Sequence, residues 1–220
     1  MTAVELITEE IPPLLHTDKG DKALVWMDEF KVSHLPVLKN GNYVGILSES
    51  ALMDMEDLDM SLDKLFQHLP RPYVYSGAHI YEVLARISEN KITVLPVLDD
   101  QENYLGCTDV HHLLQLIANT GSIKDIGGIL VLEMNASDYS MAQIGQIVES
   151  NNAKILSSFI MSSSDTTKIE VTLKINEIEL DRIIRTFERY DYVIKASYQK
   201  GRFDDDVQFR YDALMNYLKM

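Results

Sequence analysis

Apolar residues recur at helical spacing twice in the first half of the chain, and each time they lead into a short apolar run. The first run, Lys31–Leu38 (KVSHLPVL), returns 60 residues later as Lys91–Leu98 (KITVLPVL), with five of the eight positions identical. A polar turn and a second strand pattern follow each run. The pattern therefore predicts one small unit that is present twice, with the order helix, strand, turn, strand, helix.

Each repeat also carries a glycine within its second strand pattern, Gly45 in the first copy and Gly106 in the second. A unit of this size is too thin to bury its own core, so we expect the two copies to pack face to face around a shared one. This doubled pattern resembles the CBS domain, whose tandem pairs form a disc-like module. We assign residues 1–58 to the first repeat and residues 59–120 to the second.

A different pattern begins at residue 127. A short apolar run suits a buried strand, Ser140 and Gln143 form a capping motif for an amphipathic helix, and an apolar stretch from Ile155 gives a second strand. Alternation over 169–175 marks a half-buried third strand, and a second helix and a last strand follow. The predicted order, βαββαβ, is the ferredoxin-like arrangement.

Two stretches in this half, GGILVLE from Gly127 and IVESNNAKI from Ile147, resemble an ACT domain, a small, often dimeric family that often senses amino acids. We assign residues 127–200 to it. Two CBS units followed by an ACT unit are similar to the acetoin-utilisation-type regulatory proteins of bacteria. The expected fold class is α/β (α+β), with a tandem CBS pair, a C-terminal ferredoxin-like ACT domain and a short C-terminal helix.

The final segment, residues 201–220, is predicted to be that helix. Val207, Tyr211, Leu214 and Leu218 share one helical stripe, and three aspartates near the helix start suit the macrodipole. The stripe is compatible with packing on the chain's own domains or on a partner chain, and the sequence leaves both open.

Charge and composition restrict the partners. The 220 residues carry a formal net charge of −14, and nucleic-acid binding needs clustered Lys and Arg for phosphate contacts. No apolar stretch approaches the roughly 18 residues that a membrane span requires. Glu5 and Glu9 stand where a signal peptide would be positive, and Cys107 has no second cysteine to pair with. We therefore expect a cytoplasmic protein with neither a nucleic-acid nor a membrane partner.

The residue types give no support for catalysis or for a metal site. The six histidines include no pair spaced i, i+4 and have no cysteine partners at zinc spacing. Neither a Gly-x-Ser-x-Gly nucleophile elbow nor a Gly-x-x-x-x-Gly-Lys-Ser/Thr phosphate loop is present in the sequence. We expect a protein that is not an enzyme, with no catalytic and no metal-binding residues.

The resemblance to CBS pairs implies adenosyl ligands, such as AMP or ATP, in clefts between the repeats. The family pattern after the second strand is Gly, two apolar residues, Thr or Ser, two variable residues and Asp. The hydroxyl helps to hold phosphate, and the carboxylate accepts hydrogen bonds from the ribose. In the first repeat Ser48 keeps the hydroxyl, but Ala51 replaces the carboxylate. In the second repeat Asp109 and His112 occupy these two places.

Asp109 is unfavourable for a phosphate-bearing ligand, because two like charges about 4 Å apart repel by roughly 4 kcal/mol at an effective dielectric constant near 20. We expect AMP or ATP binding to be weak or absent in the Asp109 cleft, whereas the Ser48 cleft stays open to such a ligand. Thr17 and Ser76, the polar residues that precede the first helix of each repeat, complete the cleft candidates.

In the ACT-like half, the loop after the first strand lacks the glycine turn that amino-acid-binding relatives often carry. Asn135 and Asp138 in this loop could still grip an α-amino group, since a carboxylate pairs with an ammonium. Starting the helix is the simpler role for Asp138.

Three functions therefore stay open. The first is a regulatory protein that senses a small molecule at the CBS cleft, with an adenosyl ligand as the main candidate. The second is an interaction scaffold whose altered clefts bind nothing, and the third is amino-acid sensing through the ACT-like domain. A homodimer is expected in each case, because a lone ferredoxin-like sheet exposes edges that proteins usually protect.

Overall fold

Both repeats form the predicted unit in the computed structural model, which describes residues 1–55, 57–64, 68–120, 122–162 and 167–199. The elements of the first repeat are β1 (Leu14–Leu15), α1 (Gly20–Phe30), β2 (His34–Lys39), β3 (Asn42–Ser48) and α2 (Glu49–Met53). Those of the second are β4 (Val74–Tyr75), α3 (Ile80–Asn90), β5 (Val94–Leu98), β6 (Tyr104–Asp109) and α4 (Val110–Ala118). Short 3-10 helices span Ala3–Leu6 and Leu62–Lys64.

The repeated sequence positions have repeated backbone roles. Helices α1 and α3 both end at the repeated lysine, Lys31 or Lys91, whose left-handed φ of 55° or 53° turns its N–H back towards the carbonyl of Met27 or Ile87. In each sheet the Leu-Pro-Val-Leu strand lies in the centre, with a short parallel strand on one side and an antiparallel strand on the other.

Equivalent residues of the two repeats contact each other, which places a pseudo-two-fold axis between them. The Ser33 N–H donates to Thr93 Oγ1 at 3.0 Å, and the rings of Tyr43 and Tyr104 stack with their centroids 6.3 Å apart. One buried cluster draws on both repeats and includes Leu35, Val37, Leu47, Leu95, Val97 and Cys107. The prediction of a core shared by two thin units is confirmed.

The two repeated glycines allow a segment of the chain to cross each sheet. A Cβ at Gly45 would lie 2.6 Å from the Cβ of Leu69, in the segment that precedes β4, and one at Gly106 would lie 2.5 Å from Cγ2 of Ile7. The N-terminal segment thus packs on the second repeat and the segment before β4 packs on the first, with backbone hydrogen bonds at both crossings. Both repeats carry glycine at this position because a side chain there would overlap the segment that crosses the sheet.

The chain divides into two compact units, Met1–Leu116 and Ile117–Met220. The second contains β7 (Gly128–Asn135), α5 (Met141–Ser150), β8 (Ile155–Ser162), β9 (Lys168–Ile175), α6 (Asp181–Arg189) and β10 (Val193–Tyr198). Its antiparallel sheet has the order β10-β7-β9-β8. Alternate strand residues such as Leu132 and Val171 join Ile144 and Phe187 of the helices in a core separate from that of the CBS-like repeats. This is the predicted ferredoxin-like βαββαβ fold.

Residues 201–220, with the predicted C-terminal helix and its Val207–Leu218 stripe, lie outside the described residues. The domain boundaries at 58, 120, 127 and 200 stay predictions. No helix in the described part of the chain is long and apolar enough to cross a bilayer.

Candidate functional site

Ser48 and Asp109 occupy equivalent positions at the end of each hairpin, and both cap the helix that follows. Ser48 Oγ accepts a hydrogen bond from the Ala51 N–H at 3.1 Å. Asp109 Oδ1 accepts bonds from the N–H groups of His111 and His112 at 2.8 and 3.1 Å. Each side chain satisfies N–H groups that a helix start leaves unpaired, and each also lines a cavity.

The Asp109 cavity has a volume of about 350 Å³ and is lined by residues from both repeats. Asp109 is buried, with 7% of its surface exposed. Glu10 and Glu29 add two carboxylates, and Lys31 is the single lysine or arginine among the described lining residues. His111 Nδ1 lies 3.7 Å from Asp109 Oδ1. With three carboxylates against one ammonium group, the cavity has a negative potential that opposes phosphate.

The Ser48 cavity, of about 360 Å³, lies against the pseudo-two-fold axis, where it is lined by Ser33 and His34 as well as Ser48. His34 Nδ1 accepts a hydrogen bond from the Thr93 N–H at 3.2 Å and lies 3.1 Å from Thr93 Oγ1. This bond requires an unprotonated Nδ1. Burial lowers the pKa of His34, and nearby Glu49, the one carboxylate of the cavity lining, opposes that shift in part.

Of the three remaining candidate residues for the CBS cleft, one lines a cavity and two do not. His112 lines the Asp109 cavity, so the structure brings these two residues together. Thr17 is exposed in the turn before α1, and half-buried Ser76 donates its backbone N–H to the Leu98 carbonyl. Within the described chain, Thr17 and Ser76 line neither cavity.

In the second unit, Asn135 and Asp138 line one cavity of about 360 Å³, together with Gln143, Lys168 and Tyr192. Asp138 accepts hydrogen bonds from Asn135 Nδ2 at 2.8 Å and from a neighbouring serine hydroxyl at 2.9 Å. These bonds, Asn135 first, lower the pKa of Asp138 and keep it ionised. The lining therefore combines three carboxylates (Glu133, Asp138 and Asp191) and two side-chain amides with Lys168, whose ammonium group is paired with Glu133. This arrangement favours a ligand that carries an ammonium group.

Sequence reasoning missed several residues of the two CBS cavities. His34 and Thr93 meet across the pseudo-two-fold axis, and Glu10 and Glu29 of the first repeat line the same cavity as Asp109 of the second. No linear motif contains these residues. The repeat could have predicted the contact of His34 with Thr93, since Ser33 and Thr93 are equivalent positions and equivalent positions meet near a pseudo-two-fold axis.

No group of three or more His, Cys, Asp or Glu side chains in the described ranges is placed to hold a metal ion. Cys107 is fully buried, its Sγ lies 3.6 Å from the Ile11 carbonyl oxygen, and burial raises its pKa to about 11. A thiol in this environment is a core side chain rather than a nucleophile.

Comparison with known proteins identifies the repeats. The CBS domain family model matches residues 6–56 and 67–119. Inosine-5'-monophosphate dehydrogenase of Bacillus subtilis is 24% identical over 130 residues, which are 57% of this chain and 27% of the relative. The chain thus spans about a quarter of the length of this curated relative.

Two solved structures are similar at low identity. A CBS domain pair/ACT domain protein from Thermotoga maritima has a TM-score of 0.48 at 22% identity, covering 54% of this chain and 98% of that one. The CBS domain of a bacterial CNNM/CorC family Mg²⁺ transporter, solved in complex with ATP, has a TM-score of 0.43 at 18% identity, covering 53% and 87%. The family match and the duplicated fold agree, and residues 6–119 of this chain form a tandem pair of CBS domains.

Proposed function

We propose that the protein is a non-catalytic regulatory protein that senses a small adenosyl-type ligand through its CBS pair. The proposal rests on the two cavities of about 360 and 350 Å³ beside Ser48 and Asp109, which are equivalent capping positions. Cavities of this size suit small organic ligands.

The charges of the two cavities assign them different ligands. The Ser48 cavity offers a serine hydroxyl at the start of the short helix α2, and Glu49 is its one carboxylate. The Asp109 cavity places a buried carboxylate at the same point and adds Glu10 and Glu29. We therefore assign AMP or ATP to the Ser48 cavity and only an adenosyl group without phosphate to the Asp109 cavity.

His34 connects the Ser48 cavity to the second repeat. It lines the cavity and also holds Thr93 of the second repeat through its ring nitrogen. A ligand that contacts His34 should bind with different affinity to the state in which His34 accepts the hydrogen bond from Thr93 and to the state in which that bond is broken. Such differential affinity is what allows binding to shift the relation between the repeats.

Isothermal titration calorimetry of the full chain with adenosine, AMP, ATP and S-adenosylmethionine tests this proposal. AMP or ATP should bind the wild-type chain, and Ser48→Asp should abolish that binding while preserving the cap, since Asp is also a good capping residue. The Asp63→Asn variant, which removes a carboxylate outside both cavities, is the control. Absence of heat for all four ligands would contradict the proposal and favour a non-binding interaction scaffold.

A second candidate function is amino-acid sensing by the second unit, which we propose to be an ACT domain. The cavity around Asp138 supports it, because an ionised carboxylate pairs with the ammonium group of a free amino acid. In a titration with an amino-acid panel, Asp138→Asn should lose binding and Glu149→Gln, on the exposed side of α5, should keep it. Equal binding by both variants would contradict this assignment.

We also propose that the protein is a homodimer that associates through the second unit. Edge strand β8 exposes Phe159, Ile160 and Met161 by 56%, 47% and 56%, and edge strand β10 exposes Val193 and Tyr198 by 58% and 61%. Proteins rarely leave apolar edge strands open to solvent. Light scattering should give twice the monomer mass at micromolar concentration, and a monomer at that concentration would contradict this part of the proposal.

A further inference from the structure

The second repeat contains a cavity at the edge of its sheet, separate from the Ser48 and Asp109 cavities. It has a volume of about 400 Å³ and lies between edge strand β4 and helix α3, where Arg86 and Asn90 form part of its lining. The equivalent positions of α1 carry Trp26 and Phe30, whose rings pack edge to face 6.3 Å apart. At these two positions the second repeat therefore carries polar side chains where the first repeat carries aromatic rings.

One wall of this cavity holds a positioned guanidinium group. Arg71 Nη2 donates to Glu102 at 2.7 Å, and its guanidinium lies over the rings of Tyr73 and Tyr43 at 5.1 and 5.6 Å. The bond to Glu102 is the main reason why the pKa of Arg71 is raised. Because Glu102 and the two rings fix its position, the Arg71 side chain loses little conformational entropy when it contacts a ligand.

The opposite wall supplies a second cation. Arg86 projects from α3 and makes no ion pair with any residue that the structure describes. Tyr73 and Tyr75 add two phenol groups, whose oxygens lie 3.3 Å apart. Glu82 is the single carboxylate among the described lining residues. Because Arg71 is already paired with Glu102, Arg86 is the guanidinium group of this lining that has no ion-pair partner among the described residues.

We propose that this cavity binds a small oxyanion, a phosphate or carboxylate group of a soluble molecule, with Arg86 as its main ligand-binding cation and Arg71 as the second. Guanidinium groups match the two oxygens of such anions with paired N–H donors. The Tyr73 and Tyr75 hydroxyls are additional donors. The site shares no lining residue with the Ser48 and Asp109 cavities, so it is a separate effector site on the CBS pair.

Titration calorimetry of the full chain at low ionic strength, with inorganic phosphate and with citrate as probes, tests the site. Arg86→Gln should weaken binding about tenfold or more, as expected for charged hydrogen bonds. Arg86→Trp, which restores the residue type of the first repeat, should abolish it by filling the cavity. Glu82→Gln should tighten binding, and Arg185→Gln, which removes an exposed charge from α6, should leave it unchanged.

A Ser48→Asp variant separates this site from the adenosyl cavity, because it should keep phosphate and citrate binding. The two probes distinguish a phosphate from a carboxylate ligand by their relative affinities. The proposal is overturned if neither probe binds at millimolar concentration, or if Arg86→Gln and Arg185→Gln weaken binding equally. Thermal unfolding of Arg86→Gln, an exposed helix position, verifies that the variant is folded.

Discussion

Exchanging the two capping residues, Ser48→Asp and Asp109→Ser, should exchange the phosphate preference of the two CBS cavities. Both positions end a hairpin and cap the following helix. Asp and Ser are both good capping residues, so either change should alter the free energy of unfolding by less than about 1 kcal/mol. The exchange therefore changes the charge of a cavity and keeps its backbone.

The magnitude follows from Coulomb's law. A phosphate about 4 Å from the Asp109 carboxylate is repelled by about 1 kcal/mol at the dielectric constant of water and by about 4 kcal/mol at an effective value near 20. Asp109 has only 7% of its surface exposed, so the upper part of this range applies. The corresponding change in dissociation constant is about a hundredfold to a thousandfold.

The assay compares AMP with adenosine by titration calorimetry, because adenosine lacks the phosphate and reports on every other contact. Ser48→Asp should raise the dissociation constant of AMP at the first cavity, and Asp109→Ser should lower it at the second, while adenosine changes little in both. An AMP-to-adenosine affinity ratio that is unaltered, or that moves in the opposite direction, would refute the reasoning.

Three further predictions concern the framework of the cavities. Gly45→Ala should destabilise the chain by about 1–3 kcal/mol in denaturant unfolding, because the new Cβ overlaps Leu69, whereas Gly145→Ala in α5, with open space around it, should stabilise it by up to about 1 kcal/mol. Since burial lowers the pKa of His34, the unfolded chain takes up a proton first as the pH falls through about 6.5. Stability should therefore decrease below that pH, and less so in His34→Gln; an identical pH profile would contradict this. Cys107, with its pKa raised to about 11, should react with a thiol reagent at pH 8 only after unfolding, and rapid native reaction would show that the thiol is accessible.

The repeat explains why much of the fold could be predicted from the sequence. Two copies of Leu-Pro-Val-Leu fix the central strands, and their equivalence implies a shared core. The alternation of Ile169, Val171, Leu173 and Ile175 likewise identifies a half-buried strand, and all four side chains are buried. These features are local, because each is carried by neighbouring residues.

The cavity linings depend on contacts between distant residues. Asp109 shares a cavity with Glu10 and Glu29, which lie about 80 to 100 positions earlier in the sequence, and His34 contacts Thr93, which lies 59 positions later. Neither spacing has a pattern in a single sequence. The family resemblance supplied Ser48 and Asp109, which are the capping residues. Thr17 and Ser76, which are candidates because they precede the first helix of each repeat, line neither cavity in the described chain.

The central claim, that the CBS pair senses an adenosyl ligand, is tested most directly by calorimetric unfolding of the full chain with and without AMP. A ligand at about one hundred times its dissociation constant stabilises the folded state by about 2.7 kcal/mol, which corresponds to an upward shift of several degrees. The account predicts this shift for AMP with the wild-type chain and its loss in Ser48→Asp. An unfolding temperature that AMP leaves unchanged at millimolar concentration would contradict it.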